Sequence, residues 1–116
     1  MEVHYLAIQS GDRDEMKLKD AVRDAGTLEY IAEKADRIRK EIDRAAFLLY
    51  SVANYHPFVE GNKRTAIILA EFTLKRYILK GDVNENNAAI CSIASGQMTE
   101  SEVKEWIKRT FVRLTQ

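Results

Sequence analysis

Apolar residues recur along most of this chain at spacings of three and four, which predicts helices almost throughout. The clearest case is 36–54. Ile38, Ile42, Ala45, Leu49 and Val52 form one stripe, and Arg37, Lys40, Glu41 and Arg44 lie off it. The helix should stop before His56-Pro57, because proline disfavours helical geometry in the residue ahead of it. A second long helix is expected over 62–80, ended by Gly81. Its middle, TAIILAEFTL, is apolar nearly all round, which predicts the central place in a bundle. Asn84 can cap a helix that runs through Ser95 and stops at Gly96. Thr99 with Glu102 forms a capping box for a last helix, through Trp106 to about Leu114. Upstream, VHYLAIQS is short and apolar and fits helix or strand, with helix preferred, Asp12 with Glu15 opens a helix through Val22, and LEYIAEKA after Thr27 is a short helix. The expected fold is all-α: a compact bundle of six to seven helices in one domain over 1–116. The two longest helices are joined by the stretch YHPFVEG.

Composition narrows the function classes. Lys plus Arg equals Asp plus Glu, so bulk charge gives no support to a direct nucleic-acid or membrane-surface role. No apolar run is long enough to span a bilayer and no signal segment is evident, so the cytoplasm is the expected compartment. The single cysteine, Cys91, cannot form an intramolecular disulfide. Its apolar surroundings, AAICSIA, predict a buried, inert thiol.

The joining stretch and the start of the next helix read YHPFVEGNKRTA, and hold the only proline of the chain with a histidine, an acid, a glycine, an amide and two adjacent cations. A turn alone needs far less. The first turn of a helix leaves backbone N–H groups without partners and carries partial positive charge. Gly61 lets an anion approach the backbone, Asn62 can donate from its amide, and Lys63 and Arg64 add full positive charge. This is the composition of a phosphate site. Glu60 would repel phosphate unless a Mg²⁺ lies between them, an ion commonly held by a carboxylate together with phosphate oxygens. His56 is placed to take a proton from an incoming nucleophile. Taken singly, each has a plainer reading. His56 can be a helix-end histidine, Glu60 a first-turn acid, and Lys63 and Arg64 a solvated pair, although cations are disfavoured at that helix end. Phe58 is core packing in every reading.

HPFVEGNKRTA resembles the signature of the Fic/Doc superfamily, H-P-F-x-[DE]-G-N-[GK]-R, at every defined position. The variant NKRTA resembles the Doc (death-on-curing) branch, as do AVRDAGTLEYIAEKA upstream and IASGQMTESEVKEWIKR downstream, so that the likeness covers roughly 3–112. The resemblance implies a Fic fold with ATP as substrate and Mg²⁺ as cofactor. It implies that His56 is the base, Glu60 the metal carboxylate, Gly61, Asn62 and Arg64 the anion cradle, and Phe58 the anchor of the loop. Lys63 stands where general Fic proteins have a second glycine, and Ile67 where they have a second arginine; both agree with Doc. Glu60 is one methylene longer than the aspartate frequent in Doc sequences.

Doc proteins are toxins that phosphorylate elongation factor Tu and are covered by a small antitoxin, Phd. The resemblance therefore implies an ATP-dependent kinase toxin with an elongation factor Tu-like substrate and a Phd-like antitoxin; self-association is left open. Two other functions compete: a Fic-type AMP transferase, and an inactive member that only binds a partner. The self-inhibitory pattern [ST]-x-x-x-E-[GN] is absent. Ser101 and Glu105 keep its spacing, but Trp106 follows, and the pair is expected on the polar face of the last helix.

Overall fold

The computed structural model describes residues 21–114, which form five helices and a two-stranded ribbon. The helices are α1 (Ala25–Arg37), α2 (Glu41–Tyr55), α3 (Asn62–Thr73), α4 (Val83–Ala94) and α5 (Glu100–Thr110). Strands β1 (Tyr77–Leu79) and β2 (Phe111–Arg113) follow α3 and α5. Of the six to seven helices expected, the two placed over 3–10 and 12–22 fall almost wholly outside the described residues.

The central element is α2, which packs against α1, α3, α4 and α5. Ala45 to Leu49 and Ser51 to Ala53 are all buried, far more than one stripe. Its one buried polar side chain, Ser51, donates to Phe47 O at 2.6 Å, so no polar atom there is stranded. This corrects the expectation that the helix of the motif would sit at the centre. On α3 one face is buried through Thr65, Ala66, Leu69 and Ala70, while Phe72 is 59% exposed. Apolarity all round did not mean burial all round, because α2 shields α3 from one side only.

The break between α1 and α2 falls at 38–40, not at 35–36. No glycine or proline marks it. Ile38 N–H closes α1 on Ala35 O, and Arg44 reaches back from α2, donating from Nε to Ile38 O at 2.9 Å and from Nη2 to Arg39 O at 3.3 Å. The bend is thus set from the next helix. Lys104 of α5 meets Asp43 of α2 at 2.7 Å and holds its carboxyl below the usual aspartate range, mainly through that hydrogen bond. Across the joint, Lys34 lies over the rings of Tyr30 and Phe47.

Two ends differ from expectation for one reason. The helix begun at Asn62 stops at Thr73, and the last helix stops at Thr110, because YIL and FVR pair as antiparallel strands. Tyr77 faces Arg113, Ile78 faces Val112 and Leu79 faces Phe111. Phe111 is buried and meets Trp106 edge-on at 6.3 Å. The fold is therefore mainly helical and not purely so. At α4 the cap is Asp82, accepting from Glu85 N–H at 3.0 Å, and not Asn84. At α5 the box is as expected: Thr99 Oγ1 accepts from Glu102 N–H at 3.1 Å, and Glu102 accepts from Thr99 N–H at 2.8 Å. Ser101 and Glu105 are exposed while Trp106 is buried, which places that pair on the polar face.

Among the described residues, no helix is long and apolar enough to cross a membrane.

Candidate phosphate-binding loop

The segment from His56 to Gly61 joins α2 to α3 and is fixed at three points. At its start, α2 ends where Pro57 offers no N–H, and His56 turns into the left-handed region with φ 52° and ψ 57°. It is the one non-glycine residue with positive φ among those described. For an L-residue with a Cβ this costs roughly 1–2 kcal/mol, so the surrounding bonds must hold it there.

The middle is anchored by Phe58, whose ring is 1% exposed. Its backbone forms an isolated antiparallel bridge with Val22. The two N–H groups of Arg23 and Asp24 both donate to Pro57 O, at 2.8 and 3.0 Å, and Val59 N–H donates to Ala21 O at 2.8 Å. Asn62 closes the loop from the other side. Its carboxamide accepts from Phe58 N–H at 3.0 Å and donates to Phe58 O at 2.9 Å. The sequence assigned Asn62 to an anion cradle. In the structure it is buried and braces the loop, and one amide N–H remains beyond those two bonds.

At the end, Gly61 caps α3 with φ 78° and ψ 17°, a conformation that favours glycine over any residue with a Cβ. Being a glycine, Gly61 brings no side-chain cap of its own to this helix end. Lys63 and Arg64 occupy its exposed first turn. Between Val59 and Gly61, Glu60 is exposed to solvent. No cluster of three or more His, Cys, Asp or Glu side chains exists among the described residues. Glu60 supplies one carboxylate of the kind that could share a Mg²⁺ with phosphate oxygens.

A cleft of about 330 Å³ opens from this cationic turn towards α4, lined by Lys63, Arg64, Ile67, Asn87, Ile90 and Cys91. Arg64 and Ile67, three apart, do share its wall. His56 and Glu60 do not belong to that wall. The expectation of a buried thiol is corrected: Cys91 is exposed. Period-3.6 apolarity in α4 buries Ile90 and Ile93, and Cys91 falls off that face. A hollow of about 430 Å³ lies elsewhere, on α5, and contains no residue of the motif.

Two contributors were not singled out from sequence. Arg23 is far from the motif along the chain, yet it donates from Nε to His56 O at 2.8 Å and from Nη2 to Tyr55 O at 3.2 Å. Only the dipeptide Arg23-Asp24 hinted at it. Asn87 carries no local signal at all. Tyr55 itself is exposed and packs edge-on against Tyr50 at 5.9 Å. Desolvation, and then the neighbouring Tyr50, push its hydroxyl above the ordinary tyrosine range.

Residues 2–74 match the family model described as Fic/DOC family. The match ends at Leu74, where α3 ends, so α4, α5 and the ribbon lie beyond it. It is shorter than the span of about 3–112 expected from sequence. A comparison with curated proteins gives no match.

Proposed function

The chain belongs to the Fic/DOC family, and from that premise we propose that it transfers the γ-phosphate of ATP to a hydroxyl of an elongation factor Tu-like translation factor. Proteins of this family generally transfer nucleotide or phosphate groups to other proteins. The observation that carries the choice of phosphate is the make-up of the cleft beside α3. Lys63 and Arg64 stand at one end, and Ile67 and Ile90 supply apolar wall. An arginine at 67 would give that wall a second planar fork for the far end of a triphosphate. Ile67 instead suits the nucleoside end of ATP. An ATP lying that way keeps its phosphates against Lys63 and Arg64 and carries its γ-phosphate towards the loop.

In this reading His56 accepts the proton of the target hydroxyl. The hydroxyl oxygen attacks the γ-phosphorus, the bond from that phosphorus to the bridging oxygen breaks, and ADP leaves. Backbone N–H groups at the start of α3, with Lys63 and Arg64, hold the phosphate oxygens. Gly61 supplies the close backbone approach, and Asn62 keeps the loop in shape and offers its remaining amide N–H. Mg²⁺ held by Glu60 and phosphate oxygens would offset phosphate charge. Phe58 anchors the loop from below.

A toxin with this activity needs restraint. The position after Glu105 is a buried tryptophan and not the Gly or Asn of the self-inhibitory pattern, which favours restraint by a separate Phd-like antitoxin. The test is translation in a bacterial cell-free extract. The purified chain with ATP should stop protein synthesis, and fresh elongation factor Tu added after the chain has been removed should restore it. Undiminished synthesis at high concentrations of folded protein would favour the reading in which the chain only binds a partner.

A further inference from the structure

We infer that Arg23 is a positioning residue for His56, acting through the backbone of the loop; this rests on His56 being the base of the proposed transfer. The last carbonyls of any α-helix lack partners within the helix, and that end favours positive charge. The last turn of α2 contains no basic residue. Arg23 supplies the charge from another part of the chain, and its two bonds fall on the carbonyls of Tyr55 and His56. Those flank the φ 52° residue. An arginine can bond both carbonyls at once with a rigid planar group, which a lysine cannot.

The clasp is itself anchored. The next residue, Asp24, caps α1, accepting from Thr27 N–H at 3.1 Å and from Thr27 Oγ1 at 2.8 Å. Those two bonds, the backbone one first, hold the Asp24 carboxyl below the usual aspartate range. The N–H groups of Arg23 and Asp24 meanwhile hold Pro57 O. The start of α1 and the end of α2 are therefore one joint, and His56 sits in it. Without the guanidinium, His56 can relax towards commoner backbone angles. Its imidazole then leaves the position from which it meets the hydroxyl. A misplacement of about 1 Å is enough to slow an oriented reaction by roughly 10²-fold.

Arg23→Gln and Arg23→Lys are the variants, with Thr99→Ala as control. The control removes the cap of α5 and lowers stability without touching the loop. Four quantities are measured: the thermal midpoint, ATP affinity, kcat for label transfer, and the His56 ring signal by NMR. Arg23→Gln should lower kcat by about 10²-fold with ATP affinity nearly unchanged. Arg23→Lys should recover part of the rate, and Thr99→Ala should keep kcat. The His56 ring signal should shift or double in Arg23→Gln and stay put in Thr99→Ala. An unchanged kcat in Arg23→Gln would overturn the inference, as would parallel loss of kcat and ATP affinity. If the wild-type chain transfers nothing, the proposed function fails, and the ring signal still decides the clasp: a shift in Arg23→Gln upholds it and an unmoved signal overturns it.

Discussion

The His56→Ala protein should fold, bind ATP and fail to transfer, with kcat lower by about 10²–10⁴-fold, the usual weight of a general base. The expectation follows from where the residue sits. His56 is exposed, so removing its ring opens no cavity in the core. The Arg23 bonds to residues 55 and 56 are to backbone carbonyls and survive the substitution. Alanine does share the difficulty of the left-handed backbone. His56→Asn is therefore the better second variant, since asparagine visits that region more readily. If both variants lose transfer while both keep wild-type ATP affinity and thermal midpoint, the loss belongs to the imidazole. Wild-type rates from either would remove His56 from the mechanism.

Phe58→Ala should cost about 3–5 kcal/mol of stability, the range for emptying a buried aromatic site. That is a large share of the 5–15 kcal/mol typical of a folded domain. The ring is fully enclosed, and it belongs to the same core cluster as Phe47, Leu49 and Val52 of α2 and Leu69 of α3. The backbone of Phe58 is equally committed, with both its N–H and its carbonyl on Asn62 and its bridge to Val22. Loss of the ring frees the loop from the core at the point where those bonds converge. Urea unfolding measures the effect through the midpoint, with the slope unchanged if the denatured state is unaltered. A loss below about 1 kcal/mol would mean that the loop is held by its hydrogen bonds alone.

How much of this was readable beforehand depended on how local the cause was. The capping box at Thr99 and Glu102 is a bond between residues three apart, and it formed as read. Pro57 acts on its neighbour, and α2 ended where proline said it would. Gly61 and Gly96 both took the positive φ that glycine allows. The misreadings have distant causes. The helix ends at Thr73 and Thr110 depend on YIL meeting FVR across more than thirty residues, and no period in either segment shows that. The break at 38–40 is held by Arg44 from the following helix. Which of two long helices lies at the centre depended on what packs around each. Within the loop, the residue types were legible because they are adjacent in sequence. The work of Asn62 as a brace and of Arg23 as a clasp was not, because each depends on which backbone groups the fold brings near.

Glu71, near the end of α3, is raised above the usual glutamate range by desolvation.

The position of the label that reaches elongation factor Tu separates phosphoryl transfer from AMP transfer. Elongation factor Tu is incubated with the wild-type chain and Mg²⁺, in one tube with ATP labelled at the γ-phosphorus and in a second with ATP labelled at the α-phosphorus. The protein product is then separated and counted, with His56→Ala as the blank. The cleft that begins at Lys63 and Arg64 and runs along Ile67 predicts label from the γ position only. The double variant Lys63→Gly with Ile67→Arg should begin to pass α label. Label from α-labelled ATP on the product of the wild-type chain, with an added mass of one AMP, would contradict phosphoryl transfer and establish the AMP transferase in its place.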